Sequence, residues 1–221
     1  MRLVLATNNA KKLAELQALL APAGVSLVSQ RSLGLAEAEE PHHSFIENAL
    51  AKARHAARLS GGPAIADDSG LCVDALGGAP GVISSHFASV ALQDKTAAAA
   101  AAATATTERE VQRGVQDAAN NRLLLERLAS VTDRRAHFIA TLVALRSADD
   151  PEPLIAVGRW QGEIQHAPDG VGGFGYDPLM YIPALGVSVA SLAADVKNAH
   201  SHRALAARQM LVLLRDVWHL G

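Results

Sequence analysis

The stretch Leu3-Val4-Leu5-Ala6-Thr7-Asn8-Asn9-Ala10-Lys11-Lys12 decides the fold class. Four apolar residues bounded by a polar turn read as a short buried strand. Thr7-Asn8-Asn9 carries the residue types that end strands and cap helices. Beyond it Leu13, Leu16, Leu19 and Leu20 recur at helical spacing, and Pro22 and Gly24 mark the stop. Residues 25–28 are a second strand candidate. Strand, turn, helix and strand in succession point to an α/β fold.

The same grammar continues along the chain. Residues 29–43 read as a loop carrying Glu37, Glu39 and Glu40. Ser44 and Glu47 form a capping box for a helix expected to bury Ile46, Ala49, Leu50, Ala53 and Ala57, with Asn48, Lys52 and His55 on another face. Gly61-Gly62-Pro63 ends it. Ala64-Ile65-Ala66 is a short strand running into an Asp67-Asp68-Ser69-Gly70 turn, after which Leu71-Cys72-Val73 resumes apolar character. The run of alanines at 97–103 offers helix propensity without a stripe of large side chains, so about residues 92–117 are expected to form a surface excursion. A helix from about 117 to 129 follows, facing Leu123, Leu124 and Leu128 inward. Residues 137–146 and 154–165 suggest a hairpin across Asp149-Asp150-Pro151. Residues 170–178 are a glycine-rich loop. A last helix is expected from Ser201 to about Trp218, burying Leu205, Met210, Leu213, Leu214 and Val217. The regular strand–helix alternation of a doubly wound sheet is absent, so the expected architecture is a mixed sheet with flanking helices, one domain over residues 1–221 with two lobes.

Composition narrows the function. The 221 residues are 49% apolar, enough for a packed core. The formal net charge of −2 argues against a general surface for nucleic-acid polymers, whose binding depends on many Lys and Arg contacts to phosphate. A single cysteine, Cys72, excludes an intrachain disulfide framework and reads as a small buried residue. No stretch approaches the ~18 apolar residues of a membrane span, and no leader is visible after Met1 and Arg2. The expected location is the cytoplasm.

Four stretches carry chemistry. At Thr7, Asn8, Asn9, Ala10, Lys11 and Lys12 a strand gives way to a helix start, where backbone N–H groups and the helix dipole favour an anion and Lys12 adds a point charge; a plain Asn-capped helix is the alternative. Asp67-Asp68-Ser69-Gly70 sets adjacent carboxylates on a strand end. Successive strand residues face opposite ways, so the two aspartates should take different roles, one meeting a metal or water and the other holding the turn. Glu40 is a possible second carboxylate for Mg²⁺, an ion that takes hard oxygen ligands. Gly172-Gly173-Phe174-Gly175-Tyr176-Asp177-Pro178 presents an aromatic ring among glycines, suited to a flat ligand or to a simple turn. Ser201-His202-Arg203 places two potential cations in a first helical turn, where the dipole disfavours them, with Lys197 just upstream. His42, His43 and His166 have no metal-ligand spacing and read as surface residues.

Taken in order, these stretches resemble the inosine triphosphate pyrophosphatase family of non-canonical purine NTP pyrophosphatases (XTP/dITP diphosphatases). The matching residues are Leu5 to Asn9 with Lys12 and Glu15, Phe45 to Ala49 with Lys52 and Ala53, Ala66 to Leu71, Gly78 to Gly81, Asn120-Asn121 with Leu124, Gly173 to Pro178, and Ser201 to Arg203. The resemblance spans nearly the whole chain. It implies an elongated α/β fold with a nucleotide cleft between two lobes, usually a homodimer. It also implies Mg²⁺-dependent hydrolysis of an NTP to NMP and pyrophosphate. In that family Thr7 to Lys12 and Lys52 would contact the triphosphate. Asp68 would be the catalytic and metal-binding carboxylate, with Glu40 as its metal partner and Ser69 touching substrate. Phe174 would stack on the purine, and Gly175, Tyr176, Asp177, Lys197, His202 and Arg203 would complete the nucleotide site. Ser85-His86-Phe87 departs from the family's usual Ala-Arg-Tyr, Ala204 from a frequent Gly, and the Ala-rich segment is long.

The residue types suit the chemistry. Water attack at the α-phosphorus needs neutralised phosphate charge and a carboxylate that orients or deprotonates the water. A 6-oxopurine and adenine present opposite hydrogen-bonding edges, so a pocket built for one leaves groups unpaired with the other. A pyrophosphatase of the septum-formation-inhibitor type acting on other modified NTPs, and a non-catalytic nucleotide-binding protein, are the competing readings.

Overall fold

The computed structural model describes residues 1–93 and 106–220. Among the described residues seven strands form one sheet in the order β2-β1-β3-β4-β5-β6-β7: β1 Arg2–Leu5, β2 Ser26–Ser29, β3 Ala64–Val73, β4 Arg135–Leu145, β5 Leu154–Ile164, β6 Met180–Ile182 and β7 Val187–Ser188. β1 pairs in parallel with β2 and β3, while β6 pairs antiparallel with β5 and β7. The sheet is therefore mixed, as the sequence suggested. The helices are α1 Ala10–Leu20, α2 Phe45–Ser60, α3 Phe87–Gln93, α4 Thr106–Arg127, α5 Ala194–His200 and α6 His202–Asp216. By internal contacts the chain divides into two compact units. Unit 1 comprises Met1–Ser69, Ile139–Trp160 and Asn198–Gly221; unit 2 comprises Gly70–Phe138 and Gln161–Lys197.

Unit 1 shows how the strand period sorts its core. Alternate residues of a strand face opposite sides. Leu3 and Leu5 of β1, Ile65 of β3, and Ala140, Leu142 and Ala144 of β4 pack into one cluster with Leu16 and Leu20 of α1 and Ala206, Met210 and Leu214 of α6. Val4, Ala6, Ala64, Ala66, Val143 and Leu145 pack into the other, against Ala49, Ala53, Ala56 and Ala57 of α2. The small residues of α2 let that helix lie close to the sheet. Gly158 of β5 does the same for α6, since a Cβ there would fall 2.0 Å from the His202 carbonyl oxygen.

Several expectations are corrected. Asp67-Asp68-Ser69-Gly70 is not a turn; β3 runs through it to Val73. The second strand begins at Ser26, one residue after the sequence start point. In α2 Ile46 is exposed and Leu50 half-buried, while Asn48 and Lys52 are buried. Asn48 tolerates burial because its side chain both accepts from the His42 N–H and donates to the His42 carbonyl. In α6 Leu205 and Leu213 are half-buried, as is Val217 just after it, and the inward face is Ala204, Ala206, Ala207, Met210 and Leu214. Cys72 is half-buried rather than buried. α4 begins at Thr106, well before the expected start at 117. Residues 94–105, which hold the alanine run of the expected excursion, lie outside the described residues.

In unit 2, Leu124 and Leu128 face inward at the end of α4. Asn120 joins this helix to α3 and the segment before it: it accepts from the Ala88 N–H at 2.8 Å and donates to the Ser84 and Ser85 carbonyls at 3.2 and 3.1 Å.

Candidate active site

The alternation that sorts the core of unit 1 continues along β3 into its charged residues. Asp67 and Ser69 follow Ile65 on the side of α1 and α6; Asp68 follows Ala66 on the side of α2. Each carboxylate accordingly meets a different set of cations.

Asp67 is buried and its Oδ2 lies 3.0 Å from Lys12 Nζ and 3.2 Å from Arg203 Nε. The same oxygen accepts from Ser69 Oγ at 3.2 Å. Arg203, 1% exposed, also bonds Glu15 of α1 through Nη1 and Ser69 Oγ through Nη2 at 3.1 Å. Lys12 and Glu15, three residues apart, share one face of α1, which is why both reach this group. Burial alone would push the Asp67 carboxyl up, but Lys12 and Arg203 outweigh it and hold Asp67 ionised far below the usual range. Burial lowers Lys12, and the neighbouring Arg203 and Lys52 charges add to this against the pull of Asp67. Arg203 stays charged, since Asp67 and Glu15 outweigh its burial.

Asp68 faces α2. Its Oδ1 accepts from Lys52 Nζ at 2.7 Å, and the same ammonium lies 3.2 Å from Glu40. Burial raises the Asp68 carboxyl to about 6; Glu40 reinforces the rise and Lys52 opposes it. Burial would lower Lys52, but Asp68 and Glu40 outweigh it, so the ammonium is held more tightly than a free lysine's. Both aspartates keep one buried oxygen without a hydrogen-bond partner, Oδ1 of Asp67 and Oδ2 of Asp68. A desolvated acceptor with no donor is costly, and either oxygen is open to a donor or cation brought by a ligand.

The helix start behaves partly as expected. Asn9 caps α1, its Oδ1 accepting from the Lys11 and Lys12 N–H groups at 3.0 and 3.3 Å, while Thr7 Oγ1 accepts from the Asn9 N–H at 3.2 Å. These N–H groups are therefore satisfied internally, and Lys12 contributes through its ammonium. Asn8 Oδ1 accepts from Gln30 Nε2 at 3.5 Å. Ala10 and Lys11 are exposed. Ser201 caps α6 by accepting from the Ala204 N–H at 3.1 Å, and His202 is buried in the first turn. Arg203 escapes the unfavourable dipole position by ion pairing across the sheet face rather than standing in solvent.

The second group of residues lies in unit 2. Asp177 Oδ2 accepts from the Phe174 N–H at 2.9 Å and from Lys197 Nζ at 2.8 Å. Lys197 Nζ also sits 4.6 Å from the centroid of the Phe174 ring, a cation–π contact. The tight turn needs glycine at 173, where φ is +73° and a Cβ would lie 2.0 Å from Asp177 Oδ2. Tyr176 is buried and donates its hydroxyl to the Ser84 carbonyl at 2.9 Å; burial, with Asp117 adding to it, keeps that hydroxyl protonated. His42, His43 and His166 are exposed, as expected.

Sequence reasoning gave no role to Glu15, and it left one of the two aspartates to hold a turn. The lost signal was the i, i+3 spacing of Lys12 and Glu15 together with the rule that β3 alternates.

The sequence model of the Ham1 family matches residues 3–213. Over 218 residues the chain is 66% identical to the dITP/XTP pyrophosphatase of Methylibium petroleiphilum, covering 99% of each chain. Over 221 residues it is 66% identical to the dITP/XTP pyrophosphatase of Leptothrix cholodnii, covering the whole of both. Among solved structures, a HAM1 protein from Coxiella burnetii matches with a TM-score of 0.81 at 39% identity, covering 98% of this chain and 100% of that one.

Proposed function

Since the chain belongs to the Ham1 family, we propose that it hydrolyses non-canonical purine nucleoside triphosphates, dITP, XTP and ITP, to the monophosphate and pyrophosphate. The observation that carries the chemistry is the division of labour on β3. Asp67 is locked as an anion between Lys12 and Arg203, whereas Asp68 has a raised pKa and a buried oxygen with no partner. A carboxylate poised near neutral pH is suited to general-base work, and one deep in an ion-pair network is not. Asp68 accepts a proton from the attacking water; Lys12 and Lys52 turn their ammonium groups to the phosphates. The water oxygen bonds to the α-phosphorus, and the bond to the bridging oxygen breaks as pyrophosphate departs.

Asp68 and Glu40 suit Mg²⁺. They are hard oxygen donors converging on one positive charge, now Lys52, and the unpartnered Asp68 oxygen asks for a cation. Among the described residues no cluster of three or more His, Cys, Asp or Glu forms a complete cage. The ion would be shared with the substrate phosphates, where it neutralises charge. The carboxylates Glu15, Glu40, Asp67 and Asp68 outnumber the cations Lys12, Lys52 and Arg203, so this group needs a further cation to accept a triphosphate.

In unit 2 Phe174 offers its ring to the purine, with Gly175, Tyr176, Asp177 and Lys197 shaping the turn that carries it. Arg203 is held by Asp67, Glu15 and Ser69 and acts by fixing Asp67 and, through it, Lys12. Thr7 to Lys11, Ser69 and His202 complete the group of unit 1 in this proposal. A homodimer located in the cytoplasm completes it. No described helix is long and apolar enough to cross a membrane.

The test is pyrophosphate release from dITP, XTP, ITP, ATP and GTP, with Mg²⁺ and with excess chelator. The first three should be hydrolysed far faster than the last two, and chelator should stop turnover. A preference for ATP would overturn the substrate assignment; full activity in chelator would overturn the metal.

A further inference from the structure

We infer that Asp117 and Asn121 of α4 are positioning residues that hold the ring of Phe174 for the base. The inference rests on the reading of Phe174 as the stacking platform. The two residues lie four apart and so share one helix face. They grip opposite ends of a single residue: Asp117 Oδ2 accepts from the Gly175 N–H at 2.8 Å, and Asn121 Nδ2 donates to the Gly175 carbonyl at 3.0 Å. These groups belong to the peptide units on either side of Gly175, whose φ of +63° makes the turn.

Asp177 completes the hold. It accepts from the Phe174 N–H, and its own N–H donates to the Phe174 carbonyl at 3.2 Å. Three consecutive peptide units around Phe174 are thereby tied to side chains, leaving only the side-chain torsions to set the ring's direction. The support is itself fixed, because the adjacent Asn120 is buried and bonded to the Ala88, Ser84 and Ser85 backbone.

Asn121 shows an asymmetry that packing alone does not explain. Its Nδ2 is bonded, but its Oδ1 is buried with no partner. An apolar residue at this point of α4 would avoid that desolvated oxygen. The amide is useful for the one donor it aims at the Phe174 turn. A Cβ at Gly175 would meet nothing within 4 Å, so the bonds from α4, and not crowding on that side, hold the residue.

The experiment is steady-state hydrolysis of ITP by wild type, Phe174→Ala, Asp117→Ala, Asp117→Asn, Asn121→Asp, and the double variant Phe174→Ala/Asn121→Asp, with a thermal melt of each. Asn121→Asp keeps the shape, replaces the donor by an oxygen and adds a carboxyl group, and it serves should Asp117→Ala fail to fold. Base stacking on an aromatic ring gives a discrimination of order 10-fold, so Asp117→Ala and Asn121→Asp should each raise KM about 10-fold with kcat within about 3-fold. Asp117→Asn retains an acceptor and should recover most of the loss. In the Phe174→Ala background Asn121→Asp should add nothing, because the ring it positions is gone. Losses that multiply in the double variant, or an unchanged KM in the single α4 variants while Phe174→Ala raises it, would overturn the positioning role and leave stacking intact. An unchanged KM in Phe174→Ala would overturn the stacking reading, and the positioning role with it.

Discussion

Replacing Asp68 by Asn should remove activity and, above pH 6, make the ligand-free protein more stable. Asp68 is buried and its carboxyl is raised to about 6 from 3.8, because burial, reinforced by Glu40, outweighs the attraction of Lys52. Below pH 3.8 the folded and unfolded chains both hold this proton, and Asp68 adds no pH dependence. Between 3.8 and about 6 the folded chain holds a proton that the unfolded chain has released, so stability falls as pH rises. Above about 6 the loss is complete and amounts to about 3 kcal/mol. Asn never ionises and escapes it. For a chain of this size that is a rise in Tm of about 6–12 °C. The assay is a set of thermal melts of both proteins from pH 4 to pH 8 in chelator, read as the difference between the two. The difference should be small at pH 4 and grow to its full value near pH 7. A difference that stays constant with pH, or a variant less stable at pH 7, would refute the claim that burial governs Asp68. Turnover within a few-fold of wild type would refute its role as base.

Two further outcomes follow from the same network. Lys12→Ala should raise KM and lower kcat together in ITP hydrolysis, because its charge meets phosphate oxygens whose charge shifts during the reaction; unchanged kinetics would return Lys12 to a helix-start residue. Arg203→Ala leaves Asp67 and Glu15 without their buried cation and should cost about 3–5 kcal/mol in denaturant unfolding. The surviving folded fraction should lose activity on ITP and ATP by similar factors. A loss confined to ITP would put Arg203 on the base.

The sequence announces elements whose signals are local. Leu3 to Ala6 alternate into two clusters, Asn9 and Ser201 cap their helices, and Ser44 accepts from the Glu47 N–H at 3.4 Å while its hydroxyl reaches the Glu47 carboxylate. What stayed hidden depends on partners far along the chain. Asp67 and Asp68 look like turn residues because a strand through two charges is improbable until their cations are counted, and those cations come from α1, α2 and α6. Burial of Lys52 and Arg203 is invisible for the same reason: each is a surface residue by type and is drawn inward by a carboxylate on β3. The short strands β6 and β7, three and two residues long, carry too little periodicity to read. Which atom each of these side chains grips could not be read from the sequence. That is why the partners of Arg203, which are Asp67, Glu15 and Ser69, could not be foreseen.

The most direct measurement is hydrolysis of dITP or XTP in ¹⁸O-labelled water, with both products analysed by mass spectrometry. If Asp68 directs water to the α-phosphorus, one labelled oxygen enters the monophosphate and the pyrophosphate leaves unlabelled. Label in the pyrophosphate, or release of a nucleoside diphosphate and orthophosphate, would place the attack at another phosphorus and contradict the proposed chemistry.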